Sequence, residues 1–270
     1  MALECIHGFE AGMCDSCFPK KAPELKTPPR RTPPRTAGSS IPRGTPGPGG
    51  TTGPGNTTGA NARPPAKKPL DLGAQRIFHV THLSNLAAII EAGALTADAT
   101  ATVDVSSGVT RELRRTAAVS SSRMVADFVP FYLSPDATNW LELRTGAAGV
   151  HWSDAARGAT ATEFVVLAGT IGAIGEGLVV SDGDAAGSVT RFASSTEAVD
   201  RMLRSLLADE FSLITAEILA HETYPLDAVA LIGVANDKTR DAVKALFKGS
   251  GISPKVAVHP PWFVETAVSE

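Results

Sequence analysis

Apolar and polar positions change period several times along the chain, and the changes mark out three zones. From about residue 72 to 270 the pattern switches between strand and helix periods. Gln75–Thr81 alternates like a strand. Ser84 is placed to N-cap a helix that carries Leu86, Ile89 and Ile90 on one face, and Gly93 is placed to end it. Asp127–Leu133 reads as a strand in which Pro130 predicts an edge or a bend. Glu163–Ala168 and Gly177–Ser181 read as strands. In Ser195–Ala208, Val199, Met202, Leu203, Leu206 and Leu207 recur at helical spacing. Ala216–His221 and Ala228–Val234 read as strands separated by a turn at Pro225. Asp237–Phe247 reads as a helix and Lys255–His259 as a last strand. Strands outnumber crossover helices, which predicts an α+β fold.

The zone of residues 20–71 has no such periodicity. Pro, Gly, Thr, Ser and Arg dominate it, as in Thr27–Thr36 (TPPRRTPPRT) and Gly44–Gly55 (GTPGPGGTTGPG). Too little apolar surface is available there to offset chain entropy, so a disordered linker with local polyproline II character is expected. Charge sharpens the division. The net charge of −3 averages a basic arm, with ten Lys and Arg against the single acid Glu24 between Phe18 and Leu70, and an acidic remainder, with fifteen basic and twenty-four acidic residues from Asp71 onward. A basic arm suits a polyanion such as nucleic acid, or serves as a solubilising linker.

All three cysteines fall in residues 1–19. Cys5 and His7, followed by Cys14 and Cys17, supply four zinc-type ligands at close spacing, and a segment this short would draw its folding energy from the metal. Four protein ligands leave no open position, so a structural zinc head is expected. Without cysteines elsewhere a disulfide scaffold is excluded, and a reducing cytoplasmic setting is expected. Glu4 stands where a signal peptide would carry basic residues, no apolar core follows it, and no apolar run spans a bilayer. GAIGEG (Gly172–Gly177) lacks the spacing of a dinucleotide-binding glycine loop, which argues against a Rossmann oxidoreductase.

Four blocks, in order, resemble the DarT family of DNA ADP-ribosyltransferase toxins: FHVTHLSNLAAIIEAGAL (Phe78–Leu95), DFVPFYLSP (Asp127–Pro135), VVSDGDA (Val179–Ala185) and AEILAHETYPLDAVALIGV (Ala216–Val234). The resemblance implies an ADP-ribosyltransferase fold of the PARP and diphtheria-toxin class over residues 72–270. It also implies NAD as substrate, a base in single-stranded DNA, typically thymine, as acceptor, and a macrodomain antitoxin as partner. Cleavage of the nicotinamide–ribose bond develops positive charge on the sugar, which a fixed carboxylate stabilises. A strand glutamate is ordinarily a solvated-face residue. Alignment with the family's catalytic glutamate makes Glu217 the candidate. On the first strand His79 and Thr81 share one face, and the family binds NAD there. Asn85 either contacts NAD or helps start the helix. Phe131 and Tyr132 face opposite sides of their strand, so one stacks on nicotinamide and the other is core; Tyr132 is favoured. The family's arginine between the first two blocks corresponds to Arg114 or Arg115, which spacing does not separate. Arginine only donates hydrogen bonds, so its role would be to polarise the base or its phosphate. Two departures, Asp136 for a family arginine and Asp184 for a family histidine, bear on the acceptor. RNA or protein acceptors and a non-catalytic NAD- or nucleic-acid-binding module are the competing readings.

Overall fold

The computed structural model describes residues Asp71–Val264. The expected zinc head (residues 1–19) and all but the last residue of the expected linker (20–71) lie outside the described residues. Twelve strands form: β1 (Arg76–His82), β2 (Ala94–Thr96), β3 (Ala118–Ser120), β4 (Arg123–Met124), β5 (Phe128–Tyr132), β6 (Phe164–Thr170), β7 (Val179–Ser181), β8 (Phe192–Ala193), β9 (Glu217–His221), β10 (Thr223–Pro225), β11 (Leu231–Val234) and β12 (Lys255–Val258). The helices are α1 (Leu86–Ala92), α2 (Gly108–Thr116), α3 (Thr138–Arg144), α4 (Asp154–Gly158), α5 (Thr196–Leu206), α6 (Glu210–Thr215) and α7 (Asp237–Phe247). Eight strands make one sheet in the order β12-β11-β6-β1-β5-β9-β7-β8, antiparallel except for β11 and β12. Those two strands and α7 form a parallel crossover at one edge of an otherwise antiparallel sheet.

Period-two alternation sends successive side chains of the central strands to opposite faces. Ile77, Val165, Leu167, Phe131 and Ile218 join a core cluster with Leu86 of α1, Leu203 and Leu206 of α5, and Val243 and Phe247 of α7. Phe78, Phe164, Val166 and Ala168 point the other way, into a cluster with Trp140 and Leu143 of α3, Ala156 of α4 and Phe263. Covering both faces explains why β6 reads as a continuous apolar run. Helix starts follow capping chemistry. Ser195 accepts from the Ala198 amide at α5, and Asn236 from the Thr239 amide (2.9 Å) at α7. Gly169 leaves room for the Tyr224 hydroxyl, which a Cβ there would meet at 2.0 Å.

The first helix departs from expectation at its start. Ser84 lies inside a 3-10 turn, Leu83–Asn85, whose N-cap is His82, and α1 begins at Leu86 with no side-chain cap from Asn85. The Asn85 amide is committed elsewhere, as described below. Gly93 ends α1 in the left-handed region (φ 68°), as its sequence position predicts. The strand expected from Ala228 begins only at Leu231, because Leu226–Ala228 closes a 3-10 turn.

Candidate active site

The site lies where the sheet comes apart. β1 pairs with β6 at seven consecutive positions, from Arg76↔Thr170 to His82↔Phe164, but with β5 only at Phe78↔Tyr132. β5 keeps all five of its residues in register with β9. Pro130 helps to explain the opening. In an antiparallel ladder the N–H and C=O of one residue face the same neighbour. Proline has no N–H to give. The Pro130 carbonyl faces the seam, where it accepts from His79 Nδ1 at 2.8 Å. The sequence signal of an edge therefore marks the open side of an interior strand.

A carbonyl can only accept, so this bond places the imidazole proton on Nδ1 and leaves Nε2 as an acceptor. Burial, the largest influence, lowers the His79 pKa below its ordinary 6.5. The Pro130 bond opposes that shift and the Arg114 charge adds to it. His79 is a neutral acceptor at neutral pH. Thr81 is buried on the same strand face, and its hydroxyl accepts from Asn85 Nδ2 at 3.1 Å. Asn85 also grips the backbone of Val103 twice, donating to its carbonyl (2.9 Å) and accepting from its amide (2.8 Å). Asn85 thus ties the loop after β2 to the end of β1.

Glu217 opens β9 directly across from Tyr132 and is 1% exposed. Its backbone amide donates to Ser181 Oγ (3.1 Å), and the Ser181 hydroxyl donates onward to the Gly183 carbonyl (2.7 Å). These bonds fix the start of β9. The carboxylate accepts from Arg114 Nη1 at Oε2 (3.2 Å) and from the Ala185 amide at Oε1 (3.3 Å). Burial is the strongest influence and raises the Glu217 pKa above its ordinary 4.5. Arg114 and the Ala185 amide lower it, and Asp184 raises it. The site therefore holds a desolvated carboxylate beside one guanidinium.

Arg114 and Arg115 separate cleanly. Ser107 N-caps α2, its hydroxyl accepting from the Thr110 amide (3.2 Å), and the helix buries none of its residues. From its last turn Arg114 reaches inward to Glu217, while Arg115 turns outward to Asp98 (3.1 Å) among exposed groups. Arg114 Nη2 is buried without a hydrogen-bond partner among the described residues. A desolvated donor of this kind is costly unless something supplies an acceptor. Arg111, in the first turn of the same helix, pairs with Asp104 of the loop before it. Tyr132 lines the cleft and Phe131 sits in the core. Burial and the nearby Glu217 charge hold the Tyr132 phenol above its ordinary pKa.

Two cavities meet at His79, Thr81, Asn85 and Arg114. One, of about 640 Å³, runs past Tyr132 and Asp184 toward Asn139 and Trp152. The other, of about 270 Å³, runs under the loop after β2, against Ala88, Ala92 and Leu95. The residues fit an elongated substrate with two ends: an apolar pocket against Ala88, Ala92 and Leu95, a mixed polar and aromatic one toward Trp152, and between them a guanidinium donor with no partner among the described residues. Asp136 pairs with Arg144 (3.2 Å), which also donates to the Trp262 carbonyl (2.8 Å), so that departure serves the closing turn of the domain. Asp184 is exposed at the rim of the larger cavity. Cys5, His7, Cys14 and Cys17 lie outside the described residues. Among the described residues no group of three or more His, Cys, Asp or Glu is placed to hold a metal ion. No helix among them is long and apolar enough to cross a membrane. Sequence reasoning missed the Ala185 amide, Ser181 and the Pro130 carbonyl. Two of these act through the backbone, which no side-chain letter encodes.

The family model described as ssDNA thymidine ADP-ribosyltransferase, DarT, matches residues 78–264. A DNA ADP-ribosyl transferase of Mycobacterium tuberculosis (strain ATCC 25618 / H37Rv) is 28% identical over 219 residues, covering 73% of this chain and 91% of that protein. Among solved structures, Thermus sp. 2.9 DarT in complex with ADP-ribosylated ssDNA superposes with a TM-score of 0.61 at 20% identity, over 71% of this chain and 97% of that one. Thermosipho africanus DarTG in complex with ADP-ribose gives a TM-score of 0.53 at 16% identity, over 70% of this chain and 51% of that one.

Proposed function

The chain belongs to the DarT family, and from that premise we propose that it transfers ADP-ribose from NAD to a base, thymine by family description, in single-stranded DNA. The observation that carries the reading is the buried Glu217 carboxylate held by Arg114 beside the open seam of β1 and β5.

In this reading NAD lies across the junction of the two cavities. The bond between nicotinamide and the ribose carbon breaks, and nicotinamide leaves with the electron pair. Positive charge grows on the sugar, and Glu217 stabilises it from a desolvated, preorganised position. A nitrogen of the acceptor base then bonds to that carbon and gives up its proton to water. Arg114 is the catalytic arginine. One arm holds Glu217, and the orphaned Nη2 donates to an oxygen of the base or of a phosphate. His79 presents Nε2 as a neutral acceptor to a sugar hydroxyl or amide of NAD, beside Thr81, and Tyr132 stacks on nicotinamide. Asn85 acts on NAD through the Val103 loop that it holds.

DNA attraction rests on residues outside the acidic domain. Eight of its eleven described arginines already pair with carboxylates. The ten Lys and Arg from Phe18 to Leu70 supply the phosphate contacts in their place. Cys5, His7, Cys14 and Cys17 hold one structural zinc ion, which metal analysis of the purified full chain would find at one equivalent and which Cys14→Ser would remove. The cytoplasmic toxin role and the macrodomain antitoxin belong to the same reading; the DarTG neighbour, of which this chain spans about half, supports a paired protein.

The test is direct. Labelled NAD is incubated with the full chain and single-stranded DNA, RNA or protein. Label on single-stranded DNA is expected; label confined to RNA or protein would assign a different acceptor.

A further inference from the structure

The larger cavity extends well beyond the groups that the reaction needs, and its far end is lined by two indoles, Trp140 and Trp152. Trp140 and Trp262 pack in aromatic pairs. Trp152 has no ring partner among the described residues. It packs against the cluster of Trp140 and Phe164 and also lines the cavity. Its ring nitrogen donates to Glu142 Oε2 at 3.1 Å. The backbone on either side is tied to the loop before α2, His151 O accepting from the Ser107 amide (2.9 Å) and the Ser153 amide donating to Val105 O (3.0 Å). The indole is therefore held at both ends of its side chain before any ligand arrives.

Charge narrows the occupant. Glu142 and Asp184 line this cavity in no ion pair among the described residues, Asp104 is paired with Arg111, and the one arginine of the lining, Arg114, is paired with Glu217. A phosphate would be repelled there, whereas an uncharged planar group would gain stacking area on the fixed ring. Because the same cavity runs to His79 and Arg114, a group held at Trp152 can belong to a molecule that also reaches the Arg114–Glu217 pair. Resting on the function proposed above, we propose that the Trp152 end of the cavity binds a nucleobase that flanks the acceptor base in single-stranded DNA. Its phosphates stay outside the cavity. Stacking accepts any base face, so this subsite gives affinity and register more than sequence choice.

The full chain is assayed for transfer of labelled ADP-ribose to short single strands carrying one thymine in every flanking context. Kinetics are then read on the best strand and on versions with an abasic nucleotide on either side of the thymine. Trp152→Ala is expected to raise KM for the intact strand about tenfold. An abasic nucleotide at the stacked position does the same, and the two together cost no more than either alone. Trp152→Phe keeps a ring while losing the Glu142 bond, so it should retain most of the affinity and report that the chain folds. Additive losses at both flanks, or an unchanged KM in Trp152→Ala, overturn the subsite. So does a loss of NAD cleavage without DNA as large as the loss of transfer, which would put the indole against nicotinamide. If the unaltered chain labels no strand, the acceptor assignment itself falls and the subsite falls with it.

Discussion

The two sides of β1 are built to opposite ends. Toward β6 the strand is paired along its whole length, and the β6 residues Phe164–Gly169 are all buried. Toward β5 a single pair remains, and polar side chains take over where the ladder stops: His79 on Pro130, and Asn85 on Thr81 and Val103. The first side gives the domain its stability. The second gives up backbone pairing and opens a cavity, and on the proposed function the groups at this seam are the ones that bind and react. The seam also makes a buried charge tolerable. Glu217 is desolvated, but Arg114 and the Ala185 amide face it.

Substitutions on the two sides should therefore separate activity from stability. The largest effect is expected for Glu217→Gln, with transfer falling about a thousandfold. Its thermal midpoint should not fall with it. The folded-state pKa of Glu217 is raised, so any stabilisation from this group is present at low pH and lost as pH rises through the folded pKa. Gln removes the burial cost of the carboxylate together with the charge that pairs Arg114, and the two effects offset. A midpoint well below that of the unaltered chain would show that Glu217 is structural. On the paired side, Ile232→Ala in β11 removes a fully buried side chain from the main core. It is expected to cost roughly 2–5 kcal/mol of stability, read by denaturant unfolding, while the folded fraction keeps its transfer rate. A rate loss beyond the unfolded fraction would mean that the two sides are coupled.

Smaller effects sharpen the boundary. Asn85→Ala releases both Val103 hydrogen bonds, and KM for NAD is expected to rise about tenfold with little change in kcat. A fall in kcat at constant KM would instead place Asn85 at the chemical step. The acid limb of the pH–rate profile should lie above 4.5, because burial raises Glu217 and its carboxylate must be ionised to act. Arg114 holds that pKa down, so the residual activity of Arg114→Ala should show the limb moved to higher pH. A limb moved to lower pH would contradict the pairing.

Much of the fold was legible because its strands announce themselves locally. The apolar run of β6, the alternation in β1, and the capped helices α5 and α7 carry their signals within a few residues. Pro130 even marked an open side, although an interior strand was not foreseen. The site residues were legible only through resemblance. Nothing local distinguishes Glu217 from a solvated strand glutamate, since its burial depends on α2, β7 and the Ala185 turn, all distant in sequence. Of the two expectations for Asn85, the helix start is not met, since its side chain caps nothing and ties instead to Val103, eighteen residues away, at the lining of both cavities. Residues that act through such long-range hydrogen bonds leave no period or spacing to detect.

Arg114 and Arg115 concentrate the whole account in two neighbours. They share a helix turn, a charge and a sequence context, and differ only in the side of α2 from which they project. Steady-state transfer to single-stranded DNA should be measured for Arg114→Ala and Arg115→Ala side by side. If the seam selects the chemistry, the first loses about a hundredfold in kcat/KM and the second stays within about twofold, as expected for an exposed ion pair. A loss in Arg115→Ala equal to or larger than that in Arg114→Ala would contradict it.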